Sequence, residues 1–142
     1  MSYRFNEPID LTPTIASKYM IVPQHRGSPT EHKSVWTISN QEEISCFTNS
    51  VVSRWKCDKY HWGVSKVNGV IIQLGTNYEN HVLQIAKFVD SSCNDCWHGY
   101  PANLQRHPGD IPSMAVLNLW QQSGIISKSE KSKIKGGKRC IL

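Results

Sequence analysis

The sequence predicts an α+β domain: an antiparallel meander of three to four strands, one helix in the N-terminal half and a helix pair at the C-terminal end. Three observations predict it. Ser39 and Asn40 open overlapping capping-box patterns, with Glu42 and Glu43, ahead of apolar residues at helical spacing. An Asn68-Gly69 dipeptide separates two short runs rich in Val and Ile. A second helical stripe, Met114 to Trp120, is followed by a glycine stop and a lysine-rich segment with its own cap. A chain of 142 residues suits one domain. Its five Trp and five Tyr supply core rings that a disordered chain lacks.

Residues 1–34 carry Pro8, Pro13, Pro23 and Pro29 without sustained period and read as an extended arm over the domain, with a short strand near Tyr19–Val22. The body is 35–127. Val35-Trp36-Thr37-Ile38 is a short strand. Residues 41–55 form an amphipathic helix through Ile44, Phe47, Val51 and Trp55. Positive φ angles at Asn68 and Gly69 give a type I′ turn that sets Val67 opposite Val70, Ser65 opposite Ile72 and Gly63 opposite Leu74. Val82–Val89 is the third strand of the meander. It is apolar on most of both faces, and the Lys87 ammonium is expected to snorkel to the sheet edge. Asp90–Pro108 reads as a loop of roughly twenty residues. Asp110 or Ser113 caps the next helix, with Pro112 in its first turn, and Met114, Val116, Leu117, Leu119 and Trp120 face the sheet before Gly124. Ser127 and Glu130 cap a final short helix in the basic tail, 128–142. The last two helices superficially suggest a helix-turn-helix, though a hairpin packed on a sheet produces the same pattern.

The net charge of +5 belongs to the tail. Residues 1–127 hold ten Lys/Arg and ten Asp/Glu, whereas Lys128, Lys131, Lys133, Lys135, Lys138 and Arg139 face only Glu130. Such a tail attracts phosphate without reading bases, or serves as a solubilising helix end. No apolar run is long enough for a membrane span, and Met1–Pro8 lacks the apolar core of a secretory signal. A cytoplasmic protein without membrane attachment is expected. Phosphate-cradling glycine loops, the Gly-x-Ser-x-Gly elbow and His-Glu-x-x-His are all absent. No cofactor is expected.

Five cysteines, an odd number, read as thiols rather than a disulfide framework. Cys93 and Cys96 have zinc-ligand spacing, and Cys57 with His61 could supply a second, weaker pair. With no second Cys-x-x-Cys, unliganded thiols are the expectation and a site at Cys57, His61, Cys93 and Cys96 the lesser alternative.

Two segments carry candidate chemistry. Arg54, Lys56, Lys59, Tyr60 and His61 interleave cations with rings, as a single-stranded nucleic-acid surface requires; the plainer reading places Trp55 and Trp62 in the core. Trp97, His98 and Tyr100, followed by Arg106 and His107, form the densest polar-aromatic stretch. Imidazoles exchange protons near neutrality, so His98, His61 or His107 with Lys87 and Arg106 are the candidate catalytic groups for metal-free RNA cleavage. The expected function is a non-enzymatic binding module. Its surface comprises Arg54, Lys56, Lys59, Tyr60, His61, Trp97, His98, Tyr100, Lys128, Lys131, Lys135, Lys138 and Arg139, and its ligand is RNA or another polyanion. The alternatives are a protein-binding inhibitor, such as an immunity protein or antitoxin, and a metal-independent endoribonuclease or toxin.

Overall fold

The computed structural model describes residues 3–142. Strands β1 (Ile9–Asp10) and β2 (Lys18–Tyr19) come first, then a 3-10 turn at Pro23–His25, β3 (Val35–Trp36) and helix α1 (Asn40–Val52). Strands β4 (Lys56–Cys57), β5 (Tyr60–Gly63), β6 (Lys66–Val67), β7 (Val70–Ile71), β8 (Gly75–Thr76), β9 (Val82–Leu83), β10 (Ala86–Val89) and β11 (Cys96–Pro101) follow. A 3-10 turn at Pro108–Asp110 leads to α2 (Met114–Gln122) and α3 (Lys128–Lys135).

The α+β class holds, but the strand count does not. In place of a three- to four-stranded meander, the described residues form a six-stranded sheet ordered β1-β2-β11-β10-β5-β4, a three-stranded sheet β3-β8-β9 and the hairpin β6-β7. Among the named strands pairing is antiparallel except between β2 and β11, which run parallel, Trp97 opposite Tyr19; an isolated bridge between Phe5 and Ile21 is also parallel.

The largest correction lies in Asp90–Pro108. This segment is not a loop throughout: it contains β11, the longest strand, in the interior of the main sheet. Gly99 sits there because a Cβ would stand 2.3 Å from the Phe88 ring of β10. Pro101 is tolerated at the last strand position. The arm is likewise structural, since β2 completes the sheet beside β11 and Asn6 N–H donates to the Ile21 carbonyl at 2.9 Å.

The hairpin forms as expected at its tip. Asn68 and Gly69 have φ of 52° and 80°, Val67 pairs with Val70, and Ile72 N–H donates to the Ser65 carbonyl at 2.9 Å. The ladder then diverges. Gly63 pairs with Ala86 rather than Leu74, and Leu74 N–H donates instead to Leu83 at 2.8 Å. Val82–Val89 is therefore two strands in two sheets. The break falls at Gln84, whose side chain donates to the Ile71 carbonyl at 3.3 Å and accepts from Leu142 N–H at 2.7 Å.

Local chemistry sets the helix ends. Ser39 and Glu42 form the α1 capping box, while Glu43 turns inward. Helix α1 stops at Val52, short of the expected 55: Arg54 adopts φ 59°, with Trp55 N–H bonded to Ser50 O and Arg54 N–H to Val51 O, a Schellman closure. Helix α2 is capped by Ser113, and Pro112 precedes the cap rather than entering the first turn. Of its expected stripe, Val116, Leu117 and Trp120 are buried, but Met114 and Leu119 are 42% and 40% exposed. Gly124, at φ 79°, ends the turn that follows. Ser127 and Glu130 form the second capping box, and α3 anchors itself through buried Ile134.

Two apolar clusters flank the main sheet. Beneath α1, Ile44, Phe47, Tyr19, Phe88 and Trp97 pack together. Trp62, Val116, Leu117, Trp120 and Ile134 join the sheet to α2 and α3. A buried polar knot ties the arm to α1: the Tyr19 hydroxyl donates to Glu43 Oε2 at 2.5 Å, and Arg26 Nη2 pairs with Glu43 Oε1 at 2.6 Å.

Candidate functional site

Side chains alternate between the faces of a strand, and residues paired across strands share a face. Lys87 on β10 pairs with Trp62 on β5 and Tyr100 on β11, and Val89 pairs with Tyr60 and His98. Tyr60, Trp62, Lys87, His98 and Tyr100 thus occupy one face. His61 and Trp97 occupy the other, beneath α1, with their rings edge to face at 4.7 Å.

This alternation divides the sequence-derived candidates. His61 is 5% exposed, and burial, helped by the Lys56 ammonium, pushes its pKa down to about 4. It is a neutral core residue, unavailable for ligand contact or catalysis. Trp97 is also buried and donates from Nε1 to Asp95 Oδ1 at 2.8 Å. Both leave the proposed contact surface.

On the opposite face the candidates converge. Lys87 does not reach the sheet edge. It is 7% exposed, its Nζ donates to the Gly109 carbonyl at 2.6 Å, and it stands 4.2 Å from the centre of the Tyr60 ring. Burial lowers its pKa, opposed by the charge of Asp110. Among the described residues no carboxylate pairs with this ammonium. Tyr60 is 37% exposed, and His98 and Tyr100 are half-buried. Burial lowers the His98 pKa. Burial, followed by the Asp110 charge, raises that of Tyr100, which stays protonated and donates to Asp110 Oδ1 at 2.7 Å.

Of the two expected caps of α2, Ser113 fills the role and Asp110 does not. Instead it is buried, accepting from Tyr100 at one oxygen and from Asn103 N–H at 3.0 Å at the other. Beside it lies an open recess lined by His25, His32, Ser34, Tyr100, His107 and Asp110. The His25 ring stacks on Tyr100 with centroids 5.0 Å apart and 22° between planes. Its Nδ1 donates to the Ser34 carbonyl at 2.9 Å, which leaves Nε2 as the unprotonated nitrogen of the neutral ring. Burial lowers the His25 pKa; the Ser34 carbonyl opposes this, and the charges of His98 and Lys33 add to it. Sequence reading missed His25, His32 and Ser34 as site residues, because nothing in an aperiodic arm marks which residues reach the sheet, and Asp110, because its position before a helix suggested a cap.

The remaining candidates sit elsewhere. Arg54, Lys56 and Lys59 are exposed around β4 at the sheet edge. Arg106 is committed to Glu31 at 3.3 Å. Lys128, Lys135, Lys138 and Arg139 are exposed on or after α3, while Lys131 donates to Asn118 at 2.6 Å. Cys57, His61, Cys93 and Cys96 do not gather: among the described residues no three His, Cys, Asp or Glu side chains lie close enough to hold one metal ion. All five cysteines are free thiols. Among the described residues no helix is long and apolar enough to cross a membrane.

Comparison with known proteins returned no match to a family model, a curated protein or a solved structure.

Proposed function

We propose that this chain binds single-stranded RNA on the face of the main sheet that carries Tyr60, Lys87, His98 and Tyr100. The observation that carries the reading is Lys87, a buried ammonium that makes no ion pair among the described residues and has the Asp110 charge only at longer range, set beneath an exposed tyrosine ring. A cation held this way projects positive potential through a low-dielectric sheet, and an external phosphate is its natural counter-charge. Tyr60 offers a flat ring on which a base stacks, His98 offers a polar ring edge beside it, and Tyr100, held by Asp110 and His25, forms the border toward the arm. The lysines of α3 add a long-range, salt-sensitive attraction.

Anisotropy of a fluorescent single-stranded RNA measures this directly. Tyr60→Ala should weaken binding roughly 5- to 150-fold, the equivalent of ~1–3 kcal/mol for one lost stack. Equal affinity in Tyr60→Ala and the parent would remove this face from the reading. No RNA affinity, together with salt-insensitive capture of a protein by the same face, would favour an inhibitor instead.

A further inference from the structure

We infer that the recess between the arm and the Pro108–Asp110 turn cleaves the RNA held on the neighbouring sheet face. In this reaction His25 takes a proton from a ribose 2′-hydroxyl and His107 gives one to the departing 5′-oxygen. The inference rests on the RNA-binding reading above and adds a reaction to it.

The recess is built for this from two sides. The arm supplies His25, His32 and Ser34; the segment before α2 supplies His107 and Asp110; Tyr100 touches both, stacking on His25 and donating to Asp110. His25 is oriented twice over. Its Nδ1–H is spent on the Ser34 carbonyl, and Ser34 is itself held by its hydroxyl on the Pro101 carbonyl at 2.5 Å. The free Nε2 lone pair is what a general base requires. His107 is fixed through its backbone, its N–H on Asn103 O at 3.0 Å and its carbonyl accepting from Asp110 N–H at 2.8 Å. Both Asp110 oxygens are occupied, so the carboxylate orients Tyr100 rather than competing for the substrate proton.

The step balances without another reactant. The 2′-O–H proton passes to His25 Nε2 as the 2′-oxygen bonds to phosphorus. The bond from phosphorus to the 5′-oxygen breaks, and that oxygen takes a proton from the His107 imidazolium. The products are a 2′,3′-cyclic phosphate and a 5′-hydroxyl end; solvent returns the two imidazoles to their starting states.

The test uses the full chain with a fluorescent single-stranded RNA in excess EDTA, and the same strand with 2′-O-methyl riboses as an uncleavable binding probe. The RNA should be cut to 2′,3′-cyclic phosphate ends, and the methylated strand should bind intact. His25→Asn keeps a donor for the Ser34 carbonyl but lacks the second ring nitrogen. It should slow cleavage by about 10²–10⁴-fold with unchanged affinity for the probe, and so should His107→Ala. If circular dichroism shows either variant misfolded, the other decides. Binding of both strands without cleavage overturns this inference and leaves the binding reading standing, as does full-rate cleavage by a folded variant or cleavage abolished by EDTA. Failure to bind either strand overturns both.

Discussion

The Lys87 ammonium lies 4.2 Å from the centre of the Tyr60 ring while donating to the Gly109 carbonyl at 2.6 Å. Replacing it with methionine keeps the apolar stem and removes the charge. For single-stranded RNA, the slope of log affinity against log salt should then become shallower by about 0.7, the loss of one phosphate contact. An unchanged slope in folded Lys87→Met would show that this cation does not meet the ligand.

The tail contributes charge and packing separately, because Ile134 is buried while Lys133 and Lys135 beside it are exposed. Changing Lys128, Lys133 and Lys135 to Gln should weaken RNA binding at low salt and leave the thermal midpoint near that of the parent. Ile134→Ala should destabilise the fold by about 2–5 kcal/mol through the cavity it leaves. Urea titration of the two variants distinguishes these effects.

Arg26, Glu43 and Tyr19 form a buried charge pair with a hydroxyl attached. Arg26→Ala strands the Glu43 carboxylate inside the protein, a change that typically destabilises by about 3–5 kcal/mol. Tyr19→Phe should cost less, about 1–3 kcal/mol, because one acceptor loses one donor. Equilibrium unfolding should rank the two in that order.

Gly99 is packed against Phe88, and an alanine there would place its Cβ 2.3 Å from the ring. Gly99→Ala should destabilise by roughly 1–3 kcal/mol or more, as overpacking does. Phe88→Leu in the same chain should recover part of the loss, a non-additivity that a double-mutant cycle detects.

His61 gives the fold an acid limit. Burial beneath α1 depresses its pKa to about 4, with the Lys56 charge adding to the effect and the Ser50 carbonyl and Asp95 opposing it; Arg54 also borders this side of the ring, and Phe47 and Trp97 pack on it. The unfolded chain takes up this proton near its ordinary value of ~6.5. Stability contributed by the neutral ring is therefore complete above that value and is lost as pH falls toward about 4. The loss should be on the order of 2 kcal/mol, and His61→Leu should flatten it in urea titrations made across that range.

The starts of α1 and α3 were the most legible part of the sequence, because a cap is a local contract between residues three apart. Ser39 with Glu42 and Ser127 with Glu130 needed no distant partner. The Asn68-Gly69 turn was legible for the same reason. Strand β11 was not. Its Gly99 and Pro101 carry turn propensity, and only the Phe88 ring across the ladder explains the glycine. Reading Lys87 as a snorkelling edge residue assumed an exit to solvent, but the 108–110 turn closes over it. At the site, Tyr60, His98 and Tyr100 were visible as a group. Their partners His25 and Asp110 were not, since register across distant segments, rather than residue type, brings them together.

The parallel pairing of β2 with β11 joins residues such as Ser17 and Asp95 that are 78 positions apart. A nascent chain leaving the ribosome carries its first strands long before the neighbour they require has been synthesised, so those strands must wait undocked. His25 travels with the early part and His107 arrives after β11. The two imidazoles therefore come to line one recess only after the chain through His107 has been made.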